Sequence, residues 1–136
     1  MAKIEGGCLC GQIRYRSDAE PLLTVICHCK NCQRQSGASY STNLAMPRGS
    51  LSFEGEMTIY ADKGDSGKYV NRFFCQACGS PIMSEPETIE SLSIVKVGTL
   101  DDTSWVEPSM EIYCDSAQEW TRAGLSLQSY PKMMPS

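Results

Sequence analysis

Cys75-Gln76-Ala77-Cys78-Gly79 has the form of a zinc-knuckle turn. The two intervening residues bend the chain until both sulfurs face one point, and the glycine tolerates the positive φ that lets backbone amides approach those sulfurs. Such a turn supplies half of a tetrahedral shell. The other half stands near the start of the chain as Cys8-Leu9-Cys10-Gly11. One ion held by both pairs would join the beginning of the chain to its middle and exclude much disorder from the unfolded ensemble. The pairing leaves two other readings open: four reduced structural thiols without metal, and redox use of Cys75 and Cys78. The surroundings of the second pair lack the βαβ pattern of a thioredoxin-like motif.

Beyond these two pairs, the eight cysteines leave a third cluster, Cys27-His28-Cys29-Lys30-Asn31-Cys32, and one outlier, Cys114. On an extended segment Cys27 and Cys29 point to one side and His28 to the other. Cys32, one short turn later, can swing back to the same metal. Two pairs and a triplet give one closed four-thiolate site and one three-thiolate site with a vacancy. Structural zinc fills all four positions with protein ligands, whereas catalytic zinc keeps one for water or substrate. A thiol arriving at the vacancy would be deprotonated by the metal, and a carbonyl would be polarised. The competing arrangement fills the fourth position with His28 or Cys114 and makes a second structural zinc. A ring that points away from its neighbours' sulfurs suits a hydrogen-bonding or structural histidine better than a ligand. Cys114 reads as a small buried hydrophobe.

Composition sets the outer bounds. A chain of 136 residues is read as a single domain over 1–136, large enough for a core and small enough to benefit from a metal staple. The net charge of -4, without a Lys/Arg run, argues against nucleic acid as a partner. Met1-Ala2-Lys3-Ile4-Glu5-Gly6-Gly7 lacks a signal-peptide h-region, and no run of about 18 apolar residues occurs. No membrane partner and a cytoplasmic location are therefore expected. In that reducing setting cysteines serve as ligands or reactive thiols rather than disulfides.

The patterning is all-β with short helical turns. Strand-like stretches lie at 12–16, 51–54, 58–61, 68–74, 91–97 and 110–114, punctuated by Gly, Pro and Ser. In the first, Ile13 and Tyr15 share one face and Arg14 and Arg16 the other. The stretch 91–97 slips phase, as a bulge or a strand covered on both sides would. One or two helical turns are expected over 30–36, ended by Gly37 as a C-terminal cap.

The motifs Cys8-Leu9-Cys10-Gly11, then Cys27-His28-Cys29-Lys30-Asn31-Cys32-Gln33-Arg34-Gln35-Ser36-Gly37-Ala38, then Arg72-Phe73-Phe74-Cys75-Gln76-Ala77-Cys78-Gly79-Ser80 resemble the glutathione-dependent formaldehyde-activating enzyme family, which includes the centromere protein V group. The resemblance runs from about Gly6 to Trp120. It implies the Mss4-like fold of coiled β-sheets stapled by zinc. It also implies a structural zinc on Cys8, Cys10, Cys75 and Cys78, a catalytic zinc on Cys27, Cys29 and Cys32, and glutathione as co-substrate. The implied activity joins glutathione to formaldehyde as S-hydroxymethylglutathione. Where many members carry His-Ile-Trp or His-Ile-Phe before the last strand, this chain has Glu111-Ile112-Tyr113-Cys114. A carboxylate there alters the pocket's electrostatics and bears on the substrate more than on the reaction class.

The expected function is that of a zinc-dependent carbon-sulfur lyase acting on thiol-aldehyde adducts, with Cys27, Cys29 and Cys32 at the reaction centre. The carboxylates of glutathione need cationic partners. Lys30 and Arg34 flank the triplet, and Arg48 is a weaker candidate; each also fits a solvated surface charge. Trp105 and Trp120 could wall a pocket, although large aromatics in a small domain belong more often to the core. Two other functions share these features: a non-enzymatic binding module stabilised by two zincs, and a methionine sulfoxide reductase-like enzyme for which Cys114 is the available free thiol.

Overall fold

The computed structural model describes residues 4–135. Two sheets carry nearly all of its regular structure. A three-stranded antiparallel sheet is formed by β1 (Ile4–Gly7), β2 (Arg14–Ser17) and β5 (Ser52–Glu54) in the order β1-β2-β5. The larger sheet contains β3 (Leu23–Cys27), β4 (Ser41–Pro47), β6 (Met57–Lys63), β7 (Tyr69–Cys75), β8 (Pro81–Pro86), β9 (Leu92–Lys96) and β10 (Met110–Ile112). Its order is β10-β3-β4-β9-β8-β7-β6. Among the described residues only β10 runs parallel to its neighbour, pairing Ile112 with Cys27. The expected all-β architecture is thus present, and among the described residues no helix is long and apolar enough to cross a membrane.

The core lies between the sheets. Leu44, Val95 and Met83 stand side by side on β4, β9 and β8 and, with Met46 and Ile82, meet Ile4, Ile13 and Tyr15 from the small-sheet side. Cross-strand apolar neighbours of this kind are the unit of sheet stabilisation. Ile13 and Tyr15 are buried while Arg14 and Arg16 are exposed, as the alternation predicts. The phase slip in 91–97 marks the second of its two alternatives: β9 is central, and Ser93, Val95 and Lys96 are all buried. The register shift among these strands falls instead between Phe73 and Phe74 of β7.

The opposite face of the large sheet is polar. Following the pairings, Cys27 stands beside Ser41, Asn43 beside Lys96, Ile94 beside Ser84, and Arg72 beside both Ser84 and Tyr60. The α-helix α1 (Lys30–Ser36) leaves this face at the end of β3. Cys29 is its N-cap, with Sγ accepting the Cys32 amide at 3.2 Å, and Gly37 closes it at φ 68°. That left-handed conformation at the C-terminal cap is why a glycine stands there. Asn31 on α1 donates to Asp62 on the edge strand β6 at 3.3 Å, which ties the first helical turn across the polar face.

Candidate metal centres and the adjoining groove

The four-cysteine cluster forms where two turns converge. At the end of β7, the Cys75 amide donates to the Ser80 carbonyl at 3.0 Å and the Gly79 amide to the Cys75 carbonyl at 2.9 Å. Gly79 sits at φ 77°, as the knuckle requires. The Ala77 amide approaches Cys75 Sγ at 3.4 Å, and the Ile13 amide approaches Cys8 Sγ at 3.3 Å. Leu9 N–H donates to Ser80 Oγ at 3.1 Å and so locks one turn onto the other. The sulfurs of Cys8, Cys10, Cys75 and Cys78 all lie within 4.8 Å of one another. Zinc–sulfur bonds of about 2.3 Å in a tetrahedron set sulfur–sulfur edges of about 3.8 Å. Cys8–Cys10 and Cys10–Cys75 measure 3.6 and 3.8 Å. The donor set and its spacing fit zinc. A hydrogen bond from Ser80 also holds the Cys78 thiol down, at about 5, which favours the thiolate that a metal needs.

The second cluster contains Cys27, Cys29 and Cys32, their sulfurs likewise within 4.8 Å of one another. The end of β3 supplies the first, the helix cap the second and the first helical turn the third. No fourth His, Cys, Asp or Glu among the described residues joins this group. Cys27 and Cys32 are buried and Cys29 is partly exposed. Hydrogen bonds with Cys27 and Cys29, aided by Lys96 and Arg72, push the Cys32 thiol far down; hydrogen bonds with Cys29 and Cys32 push Cys27 far up. Three thiols this close ionise once readily and then resist. A divalent cation resolves that conflict, because every ligating sulfur must be deprotonated.

Both residues offered as a fourth ligand are elsewhere. His28 is buried, and its Nε2 lies 2.8 Å from Glu111 Oε1, across the β10–β3 pairing. Its ring meets Tyr40 edge-on at 5.3 Å. The structural role expected for His28 is therefore the one observed. That contact also holds the Glu111 carboxyl below its usual range. Cys114 is not a buried hydrophobe: it is exposed, because β10 ends at Ile112 and Tyr113 turns into the left-handed region at φ 56°. The expected strand 110–114 is shorter for the same reason.

Lys30 and Arg34 do converge, lining a groove of about 570 Å³ with Gln33, Gly37, Gln118 and Trp120. Positions 30, 34 and 37 share one helical face. Cys32 lies on another, so the groove and the third cysteine stand on different sides of α1. Trp120, expected in the core, is 53% exposed and walls the groove, with Nε1 donating to Gln118 Oε1 at 2.6 Å. Trp105 does pack against the core. Gln118 in turn donates to Gln33 at 2.9 Å, and Gln33 donates to the carbonyls of His28 and Ser116 at 2.7 and 3.0 Å. Arg48 is distant from all of this, donating to the Leu92, Pro86 and Ile89 carbonyls. It braces the far ends of the strands.

The sequence reading missed the cations on the sheet side of the triplet. Lys96 and Arg72 are 7% and 6% exposed. A lysine inside the apolar run 91–97 was the available signal.

A sequence model described as glutathione-dependent formaldehyde-activating enzyme matches residues 3–116. Among curated proteins none matches the chain. A crystal structure of a Rhodobacter sphaeroides protein superposes with a TM-score of 0.59 at 20% sequence identity, covering 79% of this chain and 98% of that one. At that identity the likeness concerns the fold.

Proposed function

We propose, for a chain that belongs to the glutathione-dependent formaldehyde-activating enzyme family, the activity of a zinc-dependent carbon-sulfur lyase on thiol-aldehyde adducts. The thiol is glutathione or a relative, and the aldehyde is formaldehyde or a related small one. The Mss4-like fold fits this assignment, with two sheets and two cysteine clusters that could hold zinc. The observation that carries the reading is the contrast between the clusters. Four thiols complete one shell, while three thiols with no fourth donor among the described residues make the other.

In this reading Cys8, Cys10, Cys75 and Cys78 hold a structural ion, and Cys27, Cys29 and Cys32 hold the ion at the reaction centre. Zinc there would supply ionisation of the incoming thiol and polarisation of the aldehyde near neutral pH. The chain does the rest. Burial of Cys27 and Cys32 keeps bulk water from two of the three ligating sulfurs. The Asn31–Asp62 contact holds the first turn of α1, and with it Cys32, against the sheet. Bringing thiol and aldehyde together at one point removes much of the entropic barrier. Lys30 and Arg34 are assigned the carboxylates of glutathione rather than its sulfur, since they line the groove beside Trp120. Small molecules, not nucleic acid, are the partners in this account, and its setting is the cytoplasm.

Exchange spectroscopy on zinc-loaded protein with glutathione and formaldehyde tests the reading. Hemithioacetal exchange above the uncatalysed rate is expected, and Cys32→Ser is expected to abolish it. If no thiol and aldehyde in a panel show zinc-dependent acceleration, a zinc-stabilised binding module becomes the better account.

A further inference from the structure

Burying a cation costs several kcal/mol unless something offsets the cost, yet the polar face of the large sheet buries two. The ammonium of Lys96 has three donors. Among the described residues its hydrogen-bond partner is Ser41 Oγ, at 2.7 Å. Arg72 gives Nε to Asp62 Oδ2 at 2.9 Å, and no protein partner among the described residues takes its remaining donors.

Strand register brings Lys96 beside the triplet, and side-chain contacts link Arg72 to it. Ser41 is the cross-strand partner of Cys27, and Lys96 that of Asn43. Lys96 Nζ therefore reaches the residue adjoining a ligating sulfur. Arg72 holds Asp62, which accepts from Asn31, the residue before Cys32. Burial and Arg72 push the Lys96 ammonium down, and Cys32, Cys27 and Cys29 act electrostatically against that push.

Charge balance alone explains part of this arrangement. Three thiolates around a divalent ion carry one net negative charge, and Lys96, Arg72 and Asp62 together carry one net positive charge. Neutrality needs the charges but not donors that lack a protein partner among the described residues. A pair of unpartnered N–H bonds on a buried ammonium is a poor resting arrangement and a good receptor for an oxygen that gains charge during a reaction.

We propose that Lys96 is the oxyanion donor of the reaction centre and therefore a catalytic residue, its ammonium hydrogen-bonding the aldehyde-derived oxygen as the carbon–sulfur bond forms. The inference rests on reading the triplet as that centre. In the step, the sulfur electron pair of the substrate thiolate forms the bond to the carbonyl carbon. The C=O π pair moves onto oxygen, which Lys96 Nζ stabilises. The proton lost by the thiol ends on that oxygen, so thiol and aldehyde add with no further reactant, and the reverse step returns them. Arg72 acts through Asp62 and Asn31 and is a positioning residue.

The test compares zinc-loaded wild type with Lys96→Met, Lys96→Arg and Ser41→Ala. Removing one oxyanion donor costs about a hundredfold in turnover, so Lys96→Met is expected to lose about that much in kcat while KM for glutathione and zinc content stay as in wild type. Lys96→Arg should recover part of the loss. Ser41→Ala keeps the charge but releases Nζ and should be slower than wild type. A readout independent of turnover is the binding of isotope-labelled formate, which presents oxyanion-like oxygens, followed by magnetic resonance. Its affinity should fall at least about tenfold in Lys96→Met if a charge-assisted hydrogen bond is lost. Wild-type rate and formate affinity in Lys96→Met would overturn the inference, as would loss of activity in proportion to loss of the second zinc. If Lys96→Met fails to fold, unchanged rate and formate affinity in Ser41→Ala overturn it instead. An inactive wild type defeats the proposed function as well, whereas an active wild type with an active Lys96→Met defeats only this inference.

Discussion

Tyr15 shows how one side chain ties the small sheet to the turn that follows β9. It is buried, its hydroxyl pairs with Thr99 Oγ1 at 2.7 Å, and its ring tilts against Phe53 at 5.8 Å. Burial pushes its phenol up to about 12, against about 10 in an unfolded chain. A folded value above the unfolded one means that the native state holds the proton more tightly. The resulting stabilisation is fully present below about pH 10 and is lost as pH rises through about 12. A separation of about two pH units between those values corresponds to about 3 kcal/mol once pH is above the folded one. Denaturant titrations across this range should show wild type losing about that much more stability than Tyr15→Phe, which at neutral pH costs about 1 kcal/mol for the Thr99 hydrogen bond. Parallel pH profiles for the two proteins would show that the phenol does not titrate as described. His28 teaches a different lesson at this scale. Its orientation away from the sulfurs followed from strand alternation, but its partner Glu111 lies 83 positions away, and no local pattern could supply it.

Most elements were legible where the chain keeps one face wet, while β9, covered on both sides, showed itself by its phase slip. The helix over Lys30–Ser36 and its Gly37 cap follow from local chemistry alone, and β2, β5, β6, β7 and β9 lie within a few residues of the expected stretches. Four strands carried no usable signal. Ser41–Pro47 lies between β3 and β9 with Ser41, Leu44, Ala45 and Met46 all buried, so its polar and apolar residues follow no period of two. Leu23–Cys27 runs straight into the cysteine triplet, Pro81–Pro86 is bounded by prolines that read as breaks, and half of Ile4–Gly7 is glycine. The parallel pairing of β10 with β3 is a long-range contact that periodicity does not encode. The same division holds at the site. Cysteine spacing displayed both clusters, whereas Lys96 approaches the triplet only through strand register and Arg72 only through its contact with Asp62.

At the scale of the molecule the two clusters are connected differently, and stability should divide accordingly. Cys8 and Cys10 follow β1 of the small sheet, while Cys75 ends β7 of the large one, so metal binding there is also folding free energy, about 10 kcal/mol or more for structural zinc. The triplet spans one strand end and one helical turn. In Cys29→Ser the serine is itself a good N-cap, so helix α1 should survive. Cys75→Ser is accordingly expected to be insoluble or to melt far below wild type, and Cys29→Ser to keep its fold while losing activity. Mild chelation should remove one zinc while the far-ultraviolet spectrum and cooperative melting persist. Equal destabilisation by the two substitutions would point to two structural sites. The central claim is that the second zinc is open to a substrate thiol, and zinc X-ray absorption tests it most directly. The account predicts a four-sulfur shell alongside a shell of three sulfurs and one light atom, with glutathione replacing that light atom by a further sulfur. Two complete sulfur shells in the resting protein, or a spectrum unchanged by saturating glutathione, would contradict it.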